Sequence, residues 1–195
     1  MGQVSTRRSR REDVLSSLVH LFCSEGFVDT NLNDLAARLR CSKSTLYALA
    51  PSREQLISAV VREFFRRATE RVEASLVTAD DPQAAVRTYL EAISVELAAG
   101  SQRFFEDLDA FAPAREIYTR NTRAAARRVQ GLVHEVASAQ PSIDARFLGF
   151  VAGAVMESIN VGRVSEVTGL DHASAYRSLA DLIAAGATTN ETGTS

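Results

Sequence analysis

Residues 30–53 read TNLNDLAARLRCSKSTLYALAPSR, and this stretch decides the fold. Leu32, Leu35, Ala36 and Leu39 fall at i, i+3, i+4 and i+7, one face of a helix. Arg40 and Cys41 interrupt that spacing. Ser42 is a residue type that caps a helix N-terminus by accepting a bond from an unpaired backbone N–H. A second short helix follows and ends at Pro51. Leu46, Leu49 and Ala50 form its inward face, and Lys43, Ser44, Thr45 and Tyr47 lie opposite. Two short helices across a tight turn are the helix-turn-helix geometry, whose second helix enters a DNA major groove. The pattern points to a DNA reader rather than to an enzyme.

The chain on either side reads as further helices. Helix one is expected over about 10–25, with Val14, Leu15, Leu18, Val19 and Phe22 on one stripe and Gly26 as its C-terminal break. Pro51 and Ser52 start a long fourth helix reaching about Val77, with Glu54 in its first turn, where a negative charge suits the helix dipole. Asp81-Pro82 opens a fifth helix, Ser101 caps a short sixth and Pro113 starts a seventh. Pro141-Ser142 separates the seventh from an eighth, expected over 143 to about 166. A ninth follows Asp171 and runs to about 185. The expectation is therefore an all-α chain of about nine helices. Residues 1–9 are read as a flexible basic arm, 10–53 as the DNA-binding domain, 54–186 as a second domain and 187–195 as a small, polar, disordered tail.

Composition agrees with a packed helical protein. Of 195 residues, 46% are hydrophobic and 24% charged, enough apolar matter for a core. The net charge of −2 hides an asymmetry. Residues 1–53 hold eight Lys/Arg and five Asp/Glu, or +3, and the remainder holds fourteen and nineteen, or −5. A basic first third suits nucleic-acid binding at one end only. No apolar run reaches the ~20 residues that span a bilayer. The polar, basic N-terminus lacks the apolar segment of a signal peptide. Cys23 and Cys41 make no disulfide framework, and a cytoplasmic setting is the simplest reading. His20, His134 and His172 lack metal-ligand spacing. No Gly-rich phosphate loop, nucleophile elbow or carboxylate pair appears, so neither a metal nor a cofactor is expected.

The chemistry of the second short helix supports DNA contact. Lys43 can meet a phosphate or a guanine edge, Thr45 can touch a base or its methyl group, and Tyr47 can give its hydroxyl to a phosphate. Arg7, Arg8, Arg10 and Arg11 form a cluster able to lie along phosphates or enter a minor groove. The alternative is a solvated polar helix in an ordinary bundle with a solubilising tail.

These residues carry a resemblance. Leu21-Phe22, Gly26-Phe27, Thr30, Asp34-Leu35-Ala36, Ser42-Lys43-Ser44-Thr45-Leu46-Tyr47 and Pro51-Ser52-Arg53-Glu54 are similar to the N-terminal domain of TetR/AcrR-family transcriptional regulators. The match covers roughly residues 10–60; beyond it the chain resembles the family in length and helical character only. By that resemblance Ser42, Lys43, Ser44, Thr45 and Tyr47 occupy DNA-contacting positions. Asn33 sits where the family often reaches toward a base. Arg53, at the family's Lys position, would hold a phosphate beside the fourth helix. The pattern departs at Arg40, where a Gly is usual, so the turn needs either a strained left-handed backbone or a shifted position. It departs again at Ala48 and Leu49, where aromatic residues or His are usual, and at Ala50, where a Phe is usual.

The resemblance also implies an effector cavity in the second domain. Its candidate lining is Phe64, Tyr89, Ile93, Phe104, Phe105, Leu108, Tyr118, Asn121, Phe150 and Met156, mostly apolar with few polar groups. For each of these the plain alternative is core packing. The small residues of the last two helices, among them Gly149, Gly153 and Ala180, would pair with a partner's copy in a homodimer, or else pack within one subunit. The function implied is a ligand-responsive regulator binding a double-stranded DNA operator, a repressor released by a small hydrophobic effector, without a membrane partner. The alternative is a helical small-molecule-binding module or enzyme that keeps a vestigial helix-turn-helix.

Overall fold

The computed structural model describes residues 2–139 and 144–188. Every regular element among them is helical. In order they are α1 (Gly2–Glu25), α2 (Leu32–Arg38), α3 (Lys43–Leu49), α4 (Arg53–Ser75), a 3₁₀ turn (Leu76–Thr78), α5 (Pro82–Leu97), α6 (Gln102–Ala110), α7 (Ala112–Ala139), α8 (Ala145–Asn160), α9 (Arg163–Thr168) and α10 (His172–Thr188).

Most helix starts follow from a side chain that takes up the unpaired N–H groups. Asn31 accepts from the amides of Asn33 and Asp34, Ser42 from Thr45, Asp81 from Ala84, Ser101 from Phe104 and Asp144 from Arg146 and Phe147. Asp171 accepts from Ser174 at 2.7 Å in the first turn of α10. Each such cap is worth about 1 kcal/mol.

Three expectations are corrected. Helix α1 begins at Gly2, so residues 2–9 continue the helix instead of forming a separate arm. The eighth helix does not run to 166. Gly162 adopts φ 77°, in the left-handed region, and breaks it into α8 and the short α9, giving ten α-helices among the described residues. Of the expected tail, residues 187 and 188 belong to α10 and residues 189–195 lie outside the described residues.

The chain divides into two compact units: Met1–Arg67 with Ala99–Ile117, and Ala68–Ala98 with Tyr118–Ser195. This is not the boundary expected at 53/54. Helices α4 and α7 each run through a unit boundary, and α6 belongs to the first unit. Unit one is built on Leu18, Phe22, Phe27, Leu35, Leu46, Leu56, Ile57, Phe104 and Leu108, each at most 1% exposed. Full burial of side chains of this size stabilises by about 1.5–3 kcal/mol each. In unit two, α10 packs along α5 and against α8. Its buried residues include Leu90, Val129, Val133, Ala152, Met156, Tyr176 and Ala180. Ser94 is buried there and donates its hydroxyl to the Ala173 carbonyl at 2.7 Å, fixing α5 to the start of α10.

Candidate nucleic-acid interface

Helix α3 has seven residues and one fully buried anchor, Leu46. So short a helix depends on tertiary packing and capping. Packing comes from α1 and α2. The cap is Ser42, whose Oγ accepts from the Thr45 amide at 3.2 Å and lies 2.7 Å from Ser44 Oγ and 2.9 Å from Thr45 Oγ1. The hydroxyls at the start of α3 are thus mutually oriented. Ser42, Lys43, Ser44 and Tyr47 are exposed, with Tyr47 half open to solvent, and Thr45 is half-buried. Asn33 is exposed on α2.

The turn into α3 resolves the departure at position 40. Arg40 has φ 49° and is the single non-glycine residue of positive φ among the described residues. Its amide donates to the Ala37 carbonyl and the Cys41 amide to the Ala36 carbonyl. That pair of bonds is the Schellman ending of a helix, which places a left-handed residue just past the last turn. Arg40 occupies the glycine position without being glycine. Arg38, at the end of α2, forms a bidentate pair with Glu25 at the end of α1, and this holds the Glu25 carboxyl below its ordinary range.

Arg53, the proposed phosphate ligand, is engaged within the protein. Its guanidinium turns inward onto the loop between α1 and α2. Nε donates to the Thr30 carbonyl at 2.6 Å, and Nη2 donates to the Phe27 carbonyl at 3.2 Å and to the Val28 carbonyl. The sequence shows a cation at a helix start; it does not show three carbonyls converging on it.

The ten proposed lining residues divide between the two units. Phe64, Phe104, Phe105 and Leu108 belong to unit one. There Phe104 meets Phe64 at 5.1 Å, Phe105 at 5.5 Å and Phe27 at 6.0 Å between ring centroids. Phe104 and Leu108 are core residues of the unit that carries the helix-turn-helix. Phe150 is 68% exposed and faces outward from α8 with Phe147, because positions 147, 150, 154 and 161 share one stripe and 152, 156 and 159 the buried one. Tyr89, Ile93, Tyr118 and Met156 are buried in unit two, and Asn121 is half-buried there.

Unit two also gathers polar groups. Asn160 Nδ2 donates to Thr122 Oγ1 at 2.9 Å, and its Oδ1 lies 3.4 Å from Thr119 Oγ1. Tyr118 lies with its ring 5.9 Å from His172. Burial, then the nearby Tyr176, holds the Tyr118 hydroxyl far above the ordinary tyrosine range. Burial likewise raises Tyr176 and Tyr89. His172 is held below the ordinary histidine range, also by burial. Thr122 and Tyr176 were not singled out from sequence, and His172 was weighed only as a metal ligand. Their signal was slight: a polar or aromatic residue on the apolar stripe of an otherwise regular helix.

Cys23 is buried and its thiol is pushed up to about 11; Cys41 is half-buried and also raised, again by burial. Neither is poised as a thiolate. Among the described residues no group of His, Cys, Asp and Glu is arranged to hold a metal, and no helix is long and apolar enough to cross a membrane.

No family model and no curated protein matches the sequence. Solved structures do match. A transcriptional regulator from Saccharomonospora viridis, solved in complex with choline, superposes with a TM-score of 0.70 at 16% identity, covering 90% of this chain and 96% of that one. A TetR/AcrR-family regulator from Thermobifida fusca gives 0.63 at 21% identity, covering 91% and 98%. One from Aquifex aeolicus gives 0.58 at 18% identity, covering 89% and 96%. Across nearly its whole length, this chain has the all-α fold of the TetR/AcrR-family transcriptional regulators.

Proposed function

We propose that the protein is a ligand-responsive, DNA-binding transcriptional regulator, a repressor released from its operator by a small, largely hydrophobic effector. The observation that carries this reading is the outer face of α3. Lys43, Ser44 and Tyr47 are exposed on a helix whose opposite side is pinned by Leu46, and Asn33 is exposed on the helix before it. Lys43 and Tyr47 supply phosphate or base contacts, and the Ser42, Ser44 and Thr45 hydroxyls complete the start of the reading helix. Arg53 acts on the protein's own loop.

The operator is read by a homodimer. Phe147 and Phe150 on α8 and Leu182 on α10 are 65%, 68% and 62% exposed, an apolar surface that a second copy would cover. The effector is received in unit two, where Tyr118, Tyr176, Thr122, Asn160 and His172 offer polar anchors in apolar surroundings. Its binding shifts the protein between states only so far as its affinity for those states differs.

Selection of bound duplexes from a random-sequence pool, followed by mobility shifts across a salt series, tests this reading. The expected product is a pseudo-palindrome with half-sites about one helical turn, ~34–36 Å, apart. Affinity should fall steeply with salt. A protein that retains no duplex even at low salt is not a DNA-binding regulator, and the helical small-molecule binder becomes the better account.

A further inference from the structure

Helix α6 carries an acid on its buried side. Asp107 shares a face with Phe104 and Leu108, three and one positions away, and is only 3% exposed. A carboxylate so placed is costly unless it is fully engaged. Its Oδ2 accepts from the Phe27 amide and, at 2.8 Å, from the Val28 amide, both in the loop between α1 and α2. Its Oδ1 lies 3.4 Å from Arg103 Nε, and Arg103 in turn pairs with Asp29 of the same loop. Gly26 makes room for this arrangement. Its φ is 80°, and a Cβ there would stand 2.5 Å from Asp107 Oδ2 and 2.6 Å from Arg103 Cγ.

The same loop is held from its other side. Arg53, at the start of α4, binds the carbonyls of Phe27, Val28 and Thr30. Amides are thus taken by an acid on α6 and carbonyls by a base on α4, over a segment of four residues. That segment leads directly into Asn31, the cap of α2. Its conformation sets the direction in which α2 starts, and α3 packs on α2. The acid lies about eighty residues beyond the loop it holds.

We infer that Asp107 is a positioning residue for DNA reading: through the Phe27 and Val28 amides it fixes the loop that aims α2 and α3. The inference rests on the DNA-reading assignment made above. It makes the DNA-reading unit discontinuous, with α6 an essential part. Residues 10–53 alone lack half of the clamp. Helix α6 lies far from residues 10–53 in the sequence, yet Asp107 is the α6 side chain that takes the Phe27 and Val28 amides.

The test compares Asp107→Ala and Asp107→Asn with Leu90→Ala, a buried change in unit two that lowers melting temperature without touching the loop. All are assayed where more than nine-tenths of each protein is folded. The readouts are affinity for short duplexes selected by the wild type, and amide exchange followed by NMR. Asp107→Ala should weaken duplex binding about tenfold, within the usual range of coupling between sites. It should speed exchange at Phe27 and Val28 ahead of the rest of unit one. Asp107→Asn, which keeps an acceptor, should fall between it and the wild type. Leu90→Ala should bind as the wild type does. Unchanged affinity in folded Asp107→Ala overturns the inference, and so does unchanged exchange at the two amides. If Asp107→Ala does not fold, Asp107→Asn decides by the same two readouts, and its identity with the wild type in both overturns it. If the wild type binds no duplex, the DNA-reading assignment fails on its own. The positioning role is then judged by whether Asp107→Asn shifts the resonances of residues 32–43, and unshifted resonances overturn it.

Discussion

Arg40 shows how a single residue can keep a turn while opposing it. The Schellman bonds from the Arg40 and Cys41 amides require a left-handed residue at position 40, and an arginine there carries the Cβ–carbonyl crowding that glycine avoids. Arg40→Gly should therefore raise stability by roughly 1 kcal/mol, the crowding relieved less the extra entropy of an unfolded glycine. Chemical denaturation measures it; a destabilised variant would mean the Arg40 side chain makes a compensating contact. Arg53 and Lys43 allow a second test, because they are both cations near the reading helix and differ in where they point. Lys43→Ala should reduce the salt slope of DNA binding by about one unit if it meets a phosphate. Arg53→Ala should leave that slope unchanged and lower the melting temperature, since it strips three loop carbonyls of their donor. An equal loss of slope in both variants would restore Arg53 as a phosphate ligand.

Among the elements, starts and stops depend on local chemistry and partners depend on distant chemistry. Ser42, Asp81, Ser101 and Asp171 each cap a helix where the sequence places them, because a cap needs only residues two or three positions away. Which helix meets a buried face is a different matter. The periodicity of Phe104 and Leu108 marks an inward stripe on α6, but nothing in residues 101–111 says that the stripe belongs with Phe27 and not with unit two. Gly149 and Gly153 give the same lesson. A Cβ at Gly149 would touch Gln130 at 3.2 Å and one at Gly153 would meet the Gln130 amide at 3.4 Å, so these small residues fit α8 against its own subunit. The half-buried His172 at the start of α10 adds a pH dependence. Burial depresses the His172 pKa in the folded protein. The unfolded chain therefore binds a proton more readily, and stability is full above the ordinary histidine value of about 6.5 and declines as pH falls below it toward the folded value. Denaturation midpoints between pH 7 and 5 should fall in the wild type and fall less in His172→Gln. Parallel curves would show that His172 gives no linkage.

For the whole molecule the open question is what covers the outer face of α8. Gly153 and Ala180, once plausible dimer contacts, are poor probes: Gly153 meets Gln130 and Ala126 of its own chain and Ala180 is completely buried. Phe147 and Phe150 are better ones, standing 65% and 68% exposed one helical turn apart, where a charge disturbs no intrachain core. If a second copy packs there, Phe147→Glu with Phe150→Glu should halve the mass measured by light scattering at micromolar concentration. The melting temperature of the monomer should stay within the range of ordinary surface changes, about 0.5 kcal/mol in stability. Operator affinity should fall by 10²–10⁴-fold, roughly the avidity lost when two linked reading helices become one. The three readouts must move in that combination. A wild type that is already monomeric removes the dimer from the mechanism. A double variant that stays dimeric places the interface elsewhere. A variant that loses its fold along with its partner would show these rings to be core rather than interface, despite their exposure in the single chain.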